Sequence, residues 1–185
     1  FYLSAKTLFS TISGYASSIG EANLTVETTV IINFTTAHIN WGSGRVNAGQ
    51  ASATLNTEET LNVTNGNWTL QTSGGLRIQN LGNVNVTLNL SGTKTAAQMI
   101  GGTSPAYYYK YIDLEAGSCL NSTYGTPETL ADYTTMPTTS TELCRRFRFT
   151  DSNDSVRIDI QLEVPSDSFI GALGDTITAT AFASP

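Results

Sequence analysis

Residues 155–165 read SVRIDIQLEVP, and the order of these eleven residues states a structural demand. Val156, Ile158, Ile160, Leu162 and Val164 fall on one side of an extended chain. Arg157, Asp159, Gln161 and Glu163 fall on the other, because successive side chains of a strand point to opposite faces. One side asks for a core and the other for water, as in an antiparallel sheet with one solvated face. The pattern recurs in NVNVTLNLS at 83–91, with Val84, Val86, Leu88 and Leu90 set against Asn85, Thr87, Asn89 and Ser91, and in DTITATAFA at 175–183.

Working outward from these three stretches, the chain reads as β almost throughout. ANLTVETTVIINF at 22–34 predicts one long strand or two shorter ones with a bend. Further strands are expected at 38–41, 51–55, 60–63, 68–71, 75–79 and 84–90, followed by an aromatic one in AYYYKYIDLE at 106–115. WGSG, NAG, TNGN, TSGG and NLGN supply Gly or Asn between them, where hairpins need positive φ. Short strands at this spacing predict an all-β fold, an antiparallel β-sandwich of immunoglobulin-like or jelly-roll-like type. KTAAQMIGG at 94–102 is the one internal helical turn, and the region between the two cysteines lacks periodicity and reads as a surface excursion.

Composition agrees. The 185 residues suit one domain with a real core, assigned to 22–185, preceded by an assembly segment at 1–21. Only 13% of residues are charged, about half the usual share, and Thr, Ser, Asn and 16 glycines take their place. A net charge of −6 from nine basic and 15 acidic residues excludes a phosphate-binding surface, so no nucleic-acid partner is expected. The start at Phe1 predicts processing, and no apolar run is long enough to span a membrane.

Residues 1–19, FYLSAKTLFSTISGYASSI, admit two readings. Phe1, Ala5, Leu8, Phe9, Ile12, Tyr15 and Ile19 lie near one face of a helix, while FSTISGY also alternates as an extended arm. Phe1, Leu3, Leu8, Phe9, Ile12 and Tyr15 form an apolar assembly segment on either reading.

Few residues carry chemistry. Cys119 and Cys144 are expected to form a disulfide, closing a loop worth roughly 3 kcal/mol by chain entropy. The single histidine, His38, sits between apolar residues, so neither a nucleophile–base pair nor a metal set is assembled; no enzyme and no cofactor are expected. Asp159 and Glu163 read as solvated strand residues rather than a carboxylate pair. Asp151, Asn153 and Asp154 offer oxygens to Ca²⁺ but lack the remainder of a calcium loop and read as a turn. Trp41, Trp68 and Tyr107, Tyr108, Tyr109 and Tyr111 suit either a sugar-stacking platform or a core, and the core is the simpler use. N-x-S/T acceptors occur at Asn23, Asn33, Asn62, Asn67, Asn85, Asn89, Asn121 and Asn153. Asn85 and Asn89 stand foremost, on a strand face that is wet and uncharged.

LRIQNLGNVNVTLNLSG at 76–92 and LEVPSDSFIGALGDTITATAFA at 162–183 resemble paired strands of secreted surface β-sandwiches. The style is similar to archaeal surface proteins and to TasA/camelysin-type filament subunits, including archaeal bundling pilins. The resemblance implies a self-assembling homopolymer at the cell surface, serving adhesion or cell–cell contact, in which a terminal strand of one subunit completes its neighbour's sheet. A helical reading of residues 1–19 would instead suit a type IV pilin or archaellin-like core, and a monomeric surface glycoprotein or carbohydrate-binding module, meeting surface glycans, is the third possibility.

Overall fold

The computed structural model describes residues 21–58, 62–69, 74–120 and 129–184. The expected assembly residues Phe1 to Tyr15 and the acceptor Asn121 lie outside them.

Eleven strands and one helical turn are described. In chain order they are β1 Ile32–Thr36, β2 Ser52–Asn56, β3 Asn62–Thr64, β4 Leu76–Asn80, β5 Val86–Gly92, α1 Ala96–Met99, β6 Ala106–Asp113, β7 Cys119–Leu120, β8 Leu130–Thr135, β9 Thr141–Phe147, β10 Ser155–Pro165 and β11 Ile177–Ala183. All pairings are antiparallel, and the strands form two sheets, as the alternation requires. One sheet has seven strands and the other the four-strand order β11-β5-β9-β7.

The opening stretch, β10, is the hub of the larger sheet. Its residues Val156–Glu163 pair with β6 along one edge. Two strands share the opposite edge, β4 against Ser155–Ile158 and β2 against Gln161–Pro165. Where these two meet, Thr57 bridges the gap: its N–H donates to the Ile160 carbonyl at 3.0 Å and its hydroxyl accepts from the Ile160 N–H at 2.9 Å. Gly75 permits the close approach on the β4 side, since a Cβ there would overlap the Ile158 carbonyl.

The two sheets press their apolar faces together. Ile158, Val156, Leu55 and Ile78 from the larger sheet, and Val86, Leu88, Leu90 and Phe147 from the smaller, are all fully buried in one cluster. Burying each such side chain is worth about 1.5–3 kcal/mol, which makes this cluster the main source of stability. α1 begins with a capping box: the Gln98 N–H donates to Thr95 Oγ1 at 3.3 Å and the Thr95 N–H to Gln98 Oε1 at 2.9 Å. Cys119 of β7 and Cys144 of β9 form the expected disulfide, with Cα atoms 5.7 Å apart.

Four expectations need correction. Residues 22–31 form no strand and are exposed along their length, although β1 follows directly. The stretches 38–41 and 68–69 are likewise outside any strand; in their place, 45–47 and 65–67 run side by side through a single bridge, Val46 to Gly66. The region between the cysteines contains β8, which pairs with β6 and brings Met136 into the core. Finally, Asp159 is not solvated. It is fully buried and Arg157 is 8% exposed, because Asp159 accepts from Arg157 Nε at 3.1 Å and Nη2 at 3.0 Å and from the Thr57 hydroxyl at 3.2 Å.

Candidate functional site

One side of the sandwich is open. A groove of about 210 Å³ runs between the sheets, floored by Leu76, Tyr107, Ile160 and Leu162 of the larger one. Phe34, His38 and Trp41 line one wall and Leu173 and Ile177 the other, with Met99 of α1 at one end. Its lining mixes these apolar side chains with polar groups. Asp175 lies at the wall, where it accepts from the Thr93 N–H at 3.1 Å and from the Thr93 hydroxyl. The Tyr107 phenol has its pKa pushed well up, first by burial and then by the neighbouring Asp175 carboxylate.

Between residues 169 and 182 several large apolar side chains lack cover among the described residues. Phe169 is 55% exposed, Ile170 fully so, and Leu173 and Phe182 also stand out to solvent. β11, which supplies Ile177, is the end strand of the four-strand sheet, so one of its edges has no strand beside it among the described residues. An unpaired edge next to a groove accepts an added strand, because backbone donors and side-chain pockets are offered together.

A segment with the complementary pattern projects from the same chain. Leu24 is 88% exposed and Val26 74%, with Val30 and Ile31 partly so. Beyond these residues the chain is moored to the turn that follows β4. The Asn83 side chain accepts from the Thr29 N–H at 2.7 Å and donates to the Glu27 carbonyl at 2.8 Å, and the Leu81 and Asn83 N–H groups donate to the Ile31 and Thr29 carbonyls at 2.8 and 3.0 Å. Gly82 makes the docking possible, since a Cβ there would overlap the Thr29 carbonyl. The preceding residues 21–26 form an arm that is exposed along its length.

The other sequence candidates separate from one another. Tyr107, Tyr109 and Tyr111 are buried in the core, so the tyrosine run makes no sugar platform; burial also pushes the Tyr109 phenol up. Trp41 joins the groove, whereas Trp68 packs beside Gly44 and Gly66 and takes no part in it. Asp151 to Asp154 form a turn closed by the Asn153 N–H on the Thr150 carbonyl at 2.8 Å, with Ser152 at φ 72°. Asp154 accepts from Gln79 and Ser155, and no group of three or more metal-binding side chains occurs among the described residues. Glu163 is half-buried and accepts from the Ser52 hydroxyl at 3.1 Å.

Among the acceptors, Asn23, Asn33, Asn62 and Asn67 are exposed and Asn85, Asn89 and Asn153 half-buried. Asn89 Nδ2 donates to Ser140 Oγ at 3.1 Å, Asn153 Nδ2 donates to the Ala116 carbonyl, and the Asn85 amide oxygen faces the Arg146 guanidinium. The face around Asn85 is neither fully open nor uncharged, because Glu142 and Arg146 of β9 border it. Exposure thus favours Asn23, Asn33, Asn62 and Asn67 over the pair on β5.

No family model, no curated protein and no solved structure matches this chain. Its site is therefore read from its own geometry.

Proposed function

We propose that this chain is a non-enzymatic structural subunit of an extracellular filament, in which the arm around Leu24 and Val26 of one copy lies along β11 and the groove of the next. The observation that carries the reading is the arm itself: Leu24 and Val26, alternating with polar residues, precede the segment bonded to Asn83 and are covered by nothing described. Leaving them in water costs about 1.5–3 kcal/mol for each large side chain, and the groove beside β11 offers the missing cover. Arm and groove are different parts of the chain, so each contact leaves a free arm and a free groove, and the assembly grows as a filament when the rotation between copies does not close a ring. The disulfide supports an oxidising compartment, and no helix among the described residues is long and apolar enough to cross a membrane.

The test is a double substitution, Leu24→Asp with Val26→Asp. Both side chains are almost wholly exposed, so the thermal midpoint should be unchanged. Negative-stain microscopy should then show fibres of constant diameter for the unsubstituted chain and dispersed particles for the variant. Fibres from both would remove the arm as connector.

A second reading, a monomeric sugar-binding module, is favoured by the meeting of Trp41, His38 and Asp175 in the groove. Dispersed particles from the unsubstituted chain, together with sugar-dependent quenching of tryptophan fluorescence, would select it.

A further inference from the structure

The outer face of the seven-strand sheet holds a cluster that assembly does not use. Lys110 projects from β6 with its side chain 14% exposed, and its Nζ contacts Glu58 Oε1. The Tyr133 ring of β8 covers the amine, its centroid 4.8 Å from Nζ. Asp159 stands directly opposite Lys110 in the β6–β10 ladder, a position that sets Cβ atoms about 4.5–5.5 Å apart. Glu58 reaches the same place because Thr57, the residue before it, is bonded to both the main chain of Ile160 and the carboxylate of Asp159. The Lys110 amine on β6 thus meets a carboxylate from the turn after β2, with Asp159 of β10 as its neighbour in the ladder.

We propose that Lys110 and Glu58 become joined by an isopeptide bond. Three conditions favour condensation of an amine with a carboxyl group, and each has a residue here. Contact replaces an encounter in solution, and a held pair of this kind reacts as though at very high concentration. The Tyr133 ring and the strands keep most water from the Lys110 amine, whose side chain is 14% exposed, and so protect a bond formed there from hydrolysis. A second carboxylate, Asp159, bonded to Thr57 and Arg157, stands opposite Lys110 in the ladder as the candidate proton relay.

The step balances without any other reagent. Lys110 transfers a proton to Glu58, and the freed amine attacks the Glu58 carboxyl carbon, forming the C–N bond. Asp159 takes a second proton from the nitrogen and returns it to the departing hydroxyl, which leaves as water. An ammonium and a carboxylate have become an amide and one water. The Glu58 side chain is 38% exposed, which gives that water a way out. The product ties the end of β2 to β6 across β10, independently of any assembly by the arm.

Mass spectrometry of the full-length chain decides the matter. After reduction, deglycosylation and tryptic digestion, the peptides containing Lys110 and Glu58 should appear as one branched species, lighter by one water, with no cleavage after Lys110. Lys110→Arg keeps the charge and cannot form the bond, so it should restore the missing water; Glu58→Ala should do the same. Two separate peptides of unmodified mass, cut at Lys110 in the unsubstituted chain, would leave only an ion pair and overturn the proposal, whatever the variants do.

Discussion

In β10, Val156 and Ile158 are fully buried and Ile160 is 3% exposed; in the arm, Leu24 is 88% and Val26 74% exposed. Both segments alternate apolar with polar residues, and by sequence alone they make the same demand. What differs is the supply of partners. β10 is flanked by β2 and β4 on one edge and β6 on the other, and it lies over β5 and its neighbours. Among the described residues the arm has no strand beside it, and the chain is next held at residues 27–31, by Asn83 and main-chain bonds to the turn after β4. Alternation therefore measures what a segment needs, and the fold decides whether its own chain provides it.

Three substitutions sharpen that contrast, in falling order of effect. Asp159→Asn would leave the Arg157 guanidinium buried without its counter-charge, and breaking a buried pair in this way costs about 3–5 kcal/mol; chemical denaturation should show it as a large fall in midpoint. Ile158→Ala would empty a fully buried site, and large-to-small core changes of this kind cost about 2–5 kcal/mol, with the lower half expected if β4 relaxes inward. Asn83→Ala would remove two exposed hydrogen bonds from the arm's mooring and should cost only about 1 kcal/mol. Its signature is local: hydrogen exchange should quicken at Thr29 while β10 stays protected. Equal protection loss in both regions would mean that the arm and the hub are one cooperative unit, and the comparison would fail.

Legibility in the sequence followed the same division. β2, β4, β5, β6, β10 and β11 were readable because each alternates cleanly and is bounded by Gly, Asn or Pro. β9 was not, since register shifts against β5 place Leu143 and Cys144 in succession on the buried side and break the period of two. β8 carries one tyrosine and one leucine among polar residues, as an end strand can, and so gave no signal. The stretch 22–31 misled for the opposite reason, having the period without the partners. Within the sites, Trp41 and the core tyrosines could be weighed in advance. The burial of Asp159 could not, because Thr57, Arg157 and Asp159 come together only when β2 and β10 are paired, over a separation of about a hundred residues.

The position of β10 in the chain bears on how the molecule is made. β2, β4 and β6 all find their place against a strand that is synthesised after them, and the final residue of that strand is Pro165. β2, β4 and β6 can pair earlier with β3, β1 and β8, but each keeps one open edge until β10 is made, so the larger sheet closes late and through distant contacts, which is the slow regime of folding. During that interval the exposed edges invite wrong partners. Delivery of the whole chain before folding begins, as in export of an unfolded polypeptide, suits this order of strands better than folding step by step during synthesis.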